Sequence, residues 1–208
     1  LIKPAAKFVT SAVAPEHFPP ARVPEIAFCG RSNVGKSSLL NSLLGVKLAN
    51  VSSTPGRTQT INFFHVNFTG LAQEPDFFFA DLPGYGYAKA PKAIVGEWPK
   101  FIEPYLGERE SLALCVSLVD SNVPPQKSDL QLIQWLKHQG RNFVVVATKT
   151  DRLSGNGLVK SLRALESELG VSPLVYSAKT GRGRDELWKQ VRRAAEGWRE
   201  LRASSAAF

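Results

Sequence analysis

The chain is expected to fold as an α/β domain, a mixed but mainly parallel six-stranded sheet with helices on both faces. Three observations lead there. Short apolar runs alternate with amphipathic stretches at helical spacing along nearly the whole chain, the pattern of strands joined by crossover helices. Two of the runs, Leu112–Val119 and Phe143–Ala147, are apolar nearly throughout, as strands covered on both faces are. The Gly-, Asp- and Lys-bearing loops that carry chemical interest follow the strands, and ligands of such sheets bind at the strands' carboxyl ends.

Each element has a local reason. Glu25–Cys29 is an apolar run ending at Gly30, a strand entering a tight turn, and Ser38–Leu44 then carries apolar residues at helical spacing. Residues 45–60 form a long polar loop, a length that is uncommon unless functional. Ile61–Phe68 alternates as a strand, and Asp76–Ala80 is a short apolar strand delivering Asp81. A second loop, 82–95, holds Gly84, Gly86 and Pro91. A helix is predicted over Trp98–Leu106, with Pro99 tolerated in its first turn. Ser128–Gln139 reads as a helix with Ser128 as N-cap and Gly140 as stop. Leu158–Leu169 is a helix ended by Gly170, Pro173–Tyr176 a short strand, and Asp185–Arg202 an amphipathic helix carrying Leu187, Trp188, Val191, Ala195 and Trp198. Residues 1–23, rich in Pro and Ala, are expected to pack on the domain as an extended arm; residues 24–202 form the domain and 203–208 a tail.

Of the 208 residues, 43% are hydrophobic, enough for one domain with its own core and no need of a disulfide or metal. Cys29 and Cys115 both lie in apolar strands; without ligand spacing they are expected to be buried free thiols in a reducing, cytoplasmic setting. No run of eighteen apolar residues occurs. The start, Leu1-Ile2-Lys3-Pro4, lacks the charged-then-apolar order of a secretory signal, and without an initiator Met upstream residues are expected. The formal charge of +8, from 26 Lys and Arg against 18 Asp and Glu, points toward a polyanionic partner. His17, His65 and His138 have no ligand-spaced companions and are read as structural or surface residues.

The chemistry begins with Gly30-Arg31-Ser32-Asn33-Val34-Gly35-Lys36-Ser37, which fits G-x-x-x-x-G-K-[ST] between a predicted strand and a predicted helix. Such a loop turns successive backbone N–H groups toward a phosphate chain at the positive end of the helix. Lys36 can reach the β- and γ-phosphates and the Ser37 hydroxyl can ligate Mg²⁺, with Ser38 placed for the α-phosphate. The base is still open at this point, and ATP fits as well as GTP.

The next motif is Asp81-Leu82-Pro83-Gly84, whose Asp is a candidate for the Mg²⁺ shell and whose Gly84 N–H can meet the γ-phosphate. The loop Thr54-Pro55-Gly56-Arg57-Thr58-Gln59-Thr60 offers three threonines, one of which would close over the metal and the γ-phosphate. Position alone does not choose among them.

Thr148-Lys149-Thr150-Asp151 follows the strand at 143–147. A carboxylate two residues after the Lys can accept from guanine N1–H and the 2-amino group together, which adenine cannot satisfy. The Lys149 stem can lie along the base. The usual motif begins with Asn; Thr148 removes an amide, and weaker nucleotide binding is expected. Ser177-Ala178-Lys179 follows the next strand, with the Ala178 N–H available to guanine O6.

Taken together, GRSNVGKSS at 30–38, STPGRTQTINFF at 53–64, DLPGYGY at 81–87, TKTD at 148–151 and SAK at 177–179 resemble the translation-factor-like P-loop GTPases, and within them the EngB family (YihA or YsxC) of GTPases associated with large-ribosomal-subunit assembly. The resemblance spans roughly residues 5–200 and includes Thr148. It implies the P-loop GTPase fold, Thr58 as the Mg²⁺-ligating threonine, Gly56–Thr60 near the nucleotide, and GTP hydrolysis. It also implies a large-subunit or rRNA partner and a linked role in septation.

Tyr85 stands where many GTPases carry a water-orienting Gln, so slow intrinsic hydrolysis is expected. Asn33 is either a stabiliser of its loop or part of a K⁺ site that supplies charge in place of an arginine finger; Arg57 is a rival source of that charge, or a solvated loop residue. Tyr85, Tyr87, Lys89 and Lys92, and on the last helix Lys189, Arg192, Arg193, Arg199 and Arg202, are candidate RNA contacts. The alternative to a GTPase timer is a GTP-dependent rRNA-binding switch with negligible turnover. In either reading the protein acts as a monomer away from membranes.

Overall fold

A computed structural model describes residues 4–47, 60–68, 77–85 and 102–205. Its strands are β1 (Pro4–Ala12), β2 (Glu25–Gly30), β3 (Ile61–Phe68), β4 (Phe77–Asp81), β5 (Leu112–Asp120), β6 (Phe143–Thr148) and β7 (Leu174–Val175). The helices are α1 (Lys36–Leu44), α2 (102–108), α3 (Lys127–His138), α4 (Gly155–Leu169) and α5 (Arg184–Ser205). One sheet runs β1-β3-β4-β2-β5-β6-β7. All pairings from β4 to β7 are parallel, whereas β3 runs antiparallel to β4 and β1 antiparallel to β3.

The sheet therefore has seven strands among the described residues, not the six expected. The added strand comes from the segment read as an arm. β1 pairs with β3 along its length, with a register shift between Phe8 and Thr10. It lies at the sheet's edge and leaves most of its side chains at least partly exposed, so its sequence carries little of the apolar alternation that marks a strand.

Strand alternation divides the core in two. Ile26, Phe28, Phe77, Phe79 and Val116 face α1 and α5, where Leu39, Leu43, Trp188 and Val191 meet them. Ala27, Cys29, Phe63, Ala80 and Cys115 face the other way, against Ile102, Tyr105, Leu132 and Leu136. Trp188 stacks on Phe79 with ring centroids 5.6 Å apart. Residues of β5 are buried from Leu112 to Val119 because this strand has neighbours on both edges and helices on both faces. Both cysteines are buried free thiols, as expected, and burial pushes Cys115 up to about 12.

A buried polar cluster fixes the amino end of β2. Glu25, fully buried, accepts from Tyr105 Oη at 2.8 Å, Ser111 Oγ at 2.8 Å and Arg109 at 2.6 and 3.1 Å. The Arg109 guanidinium balances the charge and two hydroxyls add further hydrogen bonds, the condition under which an ion pair is tolerated inside.

Helix starts differ from the expected ones for local reasons. α3 is capped not by Ser128 but by Gln126, in a capping box with Asp129. α4 begins at Gly155, three residues before the predicted Leu158, because Ser154 Oγ accepts from Gly157 N at 3.2 Å. Gly170 ends α4 in a left-handed conformation, as expected. The predicted start of α2 near Trp98 lies outside the described residues.

Candidate functional site

The Gly30–Ser37 loop links β2 to α1. Asn33 (φ 64°) and Gly35 (φ 101°) both take left-handed backbone conformations. Gly35 is the N-cap of α1, which has no side-chain cap; its φ suits glycine and no ordinary L-residue. The first-turn N–H groups are thus left for a ligand at the positive end of the helix.

The Asp81–Gly84 segment is stitched alongside this loop. Leu82 N donates to Phe28 O at 3.1 Å, Ser32 N to Tyr85 O at 2.9 Å, and Tyr85 N to Gly30 O at 3.3 Å. A Cβ on Gly84 would stand 3.1 Å from both Ser32 N and Ser32 Oγ, so a side chain there would push the two segments apart by a few tenths of an ångström. Asp81, at the end of β4, pairs with Lys36 in the first turn of α1, and both side chains are about nine-tenths covered. The Ser37 hydroxyl and the Asp81 carboxylate are hard oxygen donors of the kind Mg²⁺ takes.

A second set of contacts comes from β6 and its neighbours. Thr148 Oγ1 lies 2.7 Å from Val34 O and 3.1 Å from Val119 O. One hydroxyl so ties the end of β6 to the phosphate-type loop, and Thr148 is engaged despite lacking the amide of the usual Asn. Lys149 has a left-handed backbone (φ 57°). Its Nζ donates to Asn33 O at 2.7 Å and pairs with Asp120 Oδ2 at 2.6 Å. Thr150 Oγ1 donates to Tyr176 O at 3.0 Å.

Asp151 is exposed and accepts from Ser177 Oγ at 2.7 Å. That hydroxyl holds the carboxyl below its ordinary value and so keeps it an acceptor. Ser177 Oγ also accepts from Thr180 N at 3.2 Å, which locks the loop that presents Ala178 and Lys179. These residues meet in a cleft of about 790 Å³ whose walls include Gly35, Ser38, Lys149, Asp151, Ala178 and Lys179.

The structure therefore brings together the loops at 30–38, 148–151 and 177–179, with 81–84 against the first of them. Thr60 precedes β3 and donates to Asn62 Oδ1 at 3.3 Å. Gly56, Arg57, Thr58 and Gln59, together with Tyr87, Lys89 and Lys92, lie outside the described residues. On α5, Lys189 pairs with Glu186 at 3.2 Å, and Arg202 stacks over Trp198 and donates to Ala21 O at 2.5 Å.

Sequence reasoning missed Asp120 and Asn122. Burial alone would raise Asp120, but hydrogen bonds from Lys149 and Asn122 outweigh it and hold the carboxyl below its ordinary value. Asn122 Nδ2 donates to Asp120 Oδ1 at 2.9 Å and to Lys149 O at 3.3 Å. The available signal was position: Asp120 closes β5 at the carboxyl edge where the other loops lie. Tyr176, buried behind the cleft with its hydroxyl 3.2 Å from Ser42 Oγ, was likewise read only as strand.

Comparison with known proteins agrees with this architecture. A family model for 50S ribosome-binding GTPases matches residues 25–149. The probable GTP-binding protein EngB of Acidobacterium capsulatum is 62% identical over 193 residues, covering 91% of this chain and 90% of the relative. That of Koribacter versatilis is 60% identical over 190 residues, covering 91% and 93%. A crystal structure of a probable GTP-binding protein EngB superposes with a TM-score of 0.68 at 22% identity, over 83% of this chain and 99% of that one, and so speaks to the fold. On sequence identity over nine-tenths of its length, the chain belongs to the EngB family of GTP-binding proteins and is a P-loop GTPase.

Proposed function

We propose that this GTPase binds GTP with Mg²⁺ in the cleft at the carboxyl edge of the sheet, turns it over slowly by itself, and serves assembly of the large ribosomal subunit in the cytoplasm, with a linked effect on septation. The observation that carries the nucleotide assignment is the convergence of Gly35, Ser38, Lys149, Asp151 and Ala178 on one cleft, with Ser177 bonded to Asp151 and Lys149 to Asn33 O. Asp151 would accept from N1–H and the 2-amino group of guanine, with the Ala178 N–H on O6. Residues Gly30 to Ser38 would hold the phosphates, with Lys36 on the β- and γ-phosphates and Gly84 on the γ-phosphate. Ser37, Asp81 and Thr58 would hold Mg²⁺, which neutralises charge on the β- and γ-phosphate oxygens. Residues 24–202 would form the GTP-binding unit, acting as a monomer.

The slow rate rests on Tyr85, whose phenol is buried and turned into the protein. The same observation favours the alternative of an rRNA-binding switch with negligible turnover. Turnover with and without large subunits separates the two. The ribosomal partner is supported by the family's description and by the charge of +8. Salt-sensitive cosedimentation with large subunits tests it, and no sedimentation in either nucleotide state removes it. K⁺ at Asn33 is tested by turnover in KCl against NaCl, where equal rates reject it.

The decisive experiment for the site is Asp151→Asn. An acceptor becomes a donor facing the 2-position, so GTP binding weakens and xanthosine triphosphate binding improves. Unchanged GTP affinity in that variant would remove the assignment.

A further inference from the structure

Tyr85 follows Gly84 directly, yet nothing about it suits orienting a water in the cleft. Its side chain is 8% exposed, and its hydroxyl donates to Asp129 Oδ1 at 3.0 Å. Asp129 is itself buried, in the first turn of α3, where its second oxygen accepts from Gln126 N at 2.9 Å and closes the helix's capping box. Burial raises the Asp129 carboxyl, while the Gln126 N–H, the Tyr85 hydroxyl and the charge of Arg31 act in the opposite direction. Arg31 is also the residue bridged to Tyr85 through the backbone.

Tyr85 is thus gripped twice. Its backbone is zipped to the phosphate-type loop through Gly30 O and Ser32 N, and its ring is tied to α3 through Asp129. Gly84 lies between these fixings, close against Ser32, where a Cβ would stand 3.1 Å from Ser32 N and Oγ.

We propose that Tyr85 is a positioning residue, and that the Tyr85–Asp129 hydrogen bond is a latch between the γ-phosphate-sensing segment and the first turn of α3 that holds Gly84 against the phosphate loop. The inference rests on the proposed contact of Gly84 with the γ-phosphate. It has a directional consequence. An arrangement that keeps Gly84 at the phosphate loop stabilises the complex with a γ-phosphate more than the complex without one. Opening the latch costs GTP binding and leaves GDP binding nearly unchanged.

Tyr85→Phe removes the hydroxyl and keeps the ring. A hydrogen bond to a buried carboxylate is worth about a factor of ten in an equilibrium. The ratio of affinities for a non-hydrolysable GTP analogue and for GDP, measured by titration calorimetry, is expected to fall about tenfold by that estimate. Asp129→Ala is expected to lower the same ratio, and the double variant to lower it no further than the stronger single one, because both remove the same bond. If the Phe variant gives no cooperative melting transition, Asp129→Ala supplies the comparison alone. A merely structural role would lower the melting temperature and weaken both nucleotides equally; an unchanged ratio, or additive effects in the double variant, overturns the latch. Wild-type protein that binds neither nucleotide would instead remove the underlying site.

Discussion

The loops proposed for the phosphates and for the base share one cleft but are held by different chemistry. At Gly30–Gly35 and Asp81–Gly84 the shape lies mostly in the backbone: a left-handed Gly35, a left-handed Asn33, and Gly84 pressed on Ser32. At Thr148–Asp151 and Ser177–Lys179 side chains set the positions: the Thr148 hydroxyl on Val34 O, Lys149 between Asn33 O and Asp120, and Ser177 on Asp151. Phosphate recognition needs many N–H groups turned inward, which only chain conformation can supply. Reading a base needs a few acceptors aimed along one edge, and a side chain can be aimed by its neighbour. Backbone-built positions should therefore tolerate substitution poorly, while side-chain-built positions should respond in grades.

The sharpest test is Gly84→Ala. Its methyl would meet Ser32 N and Oγ at 3.1 Å, and misplacing a phosphate contact by an ångström can cost on the order of 100-fold in rate. The shift needed here is only a few tenths of an ångström, so turnover is expected to fall by up to about that factor while GDP affinity holds. Full activity in Gly84→Ala would break the distinction drawn here.

Ser177→Ala comes next. It leaves Asp151 in place but unaimed and removes a hydrogen bond to a charged group, so GTP affinity by calorimetry should fall about tenfold. A fall of the same size in ATP affinity would show that Ser177 supports the loop and not the base reader.

Asp120→Asn should cost about 1 kcal/mol at neutral pH, since the Lys149–Asp120 pair is mostly covered but still reached by solvent. The pH dependence has a definite sign. The folded-state pKa of Asp120 is lowered, so its contribution is present in full above the ordinary carboxylate range. It is lost as pH falls through the lowered value. Denaturant titrations at neutral pH and in acid should show wild type and variant converging as pH drops; a constant gap would mean that charge is not the cause.

The smallest effect is expected for Thr148→Asn. Either side chain can donate toward Val34 O, so GTP affinity should change by less than about threefold. A large gain would restore the initial expectation that Thr148 weakens binding.

Much of the fold was legible because most strands here are short apolar runs between helices of clear spacing. β5 needed only its unbroken burial pattern, and α5 only its stripe of Leu187, Trp188, Val191 and Ala195. β1 was not legible. An edge strand buries little, and a register shift at Val9 spoils what alternation it has. The start of α3 was misread because Asp129 is recruited from within the helix to cap it, an act that depends on Gln126 adopting an extended backbone.

The sequence alone determined the order of strands and helices from β2 onward, the phosphate-type loop, and membership of a GTPase family. These follow from residue type and from spacing along the chain, which are local properties. Only the tertiary structure decided that Asp120 steadies Lys149, that Thr148 ties two loops, and that Tyr85 turns inward to Asp129. Those partners stand 29, 114 and 44 residues apart in the chain. A hydrogen bond across such a separation exists only once parallel strands have set their carboxyl ends side by side, and no local pattern of residues records that placement.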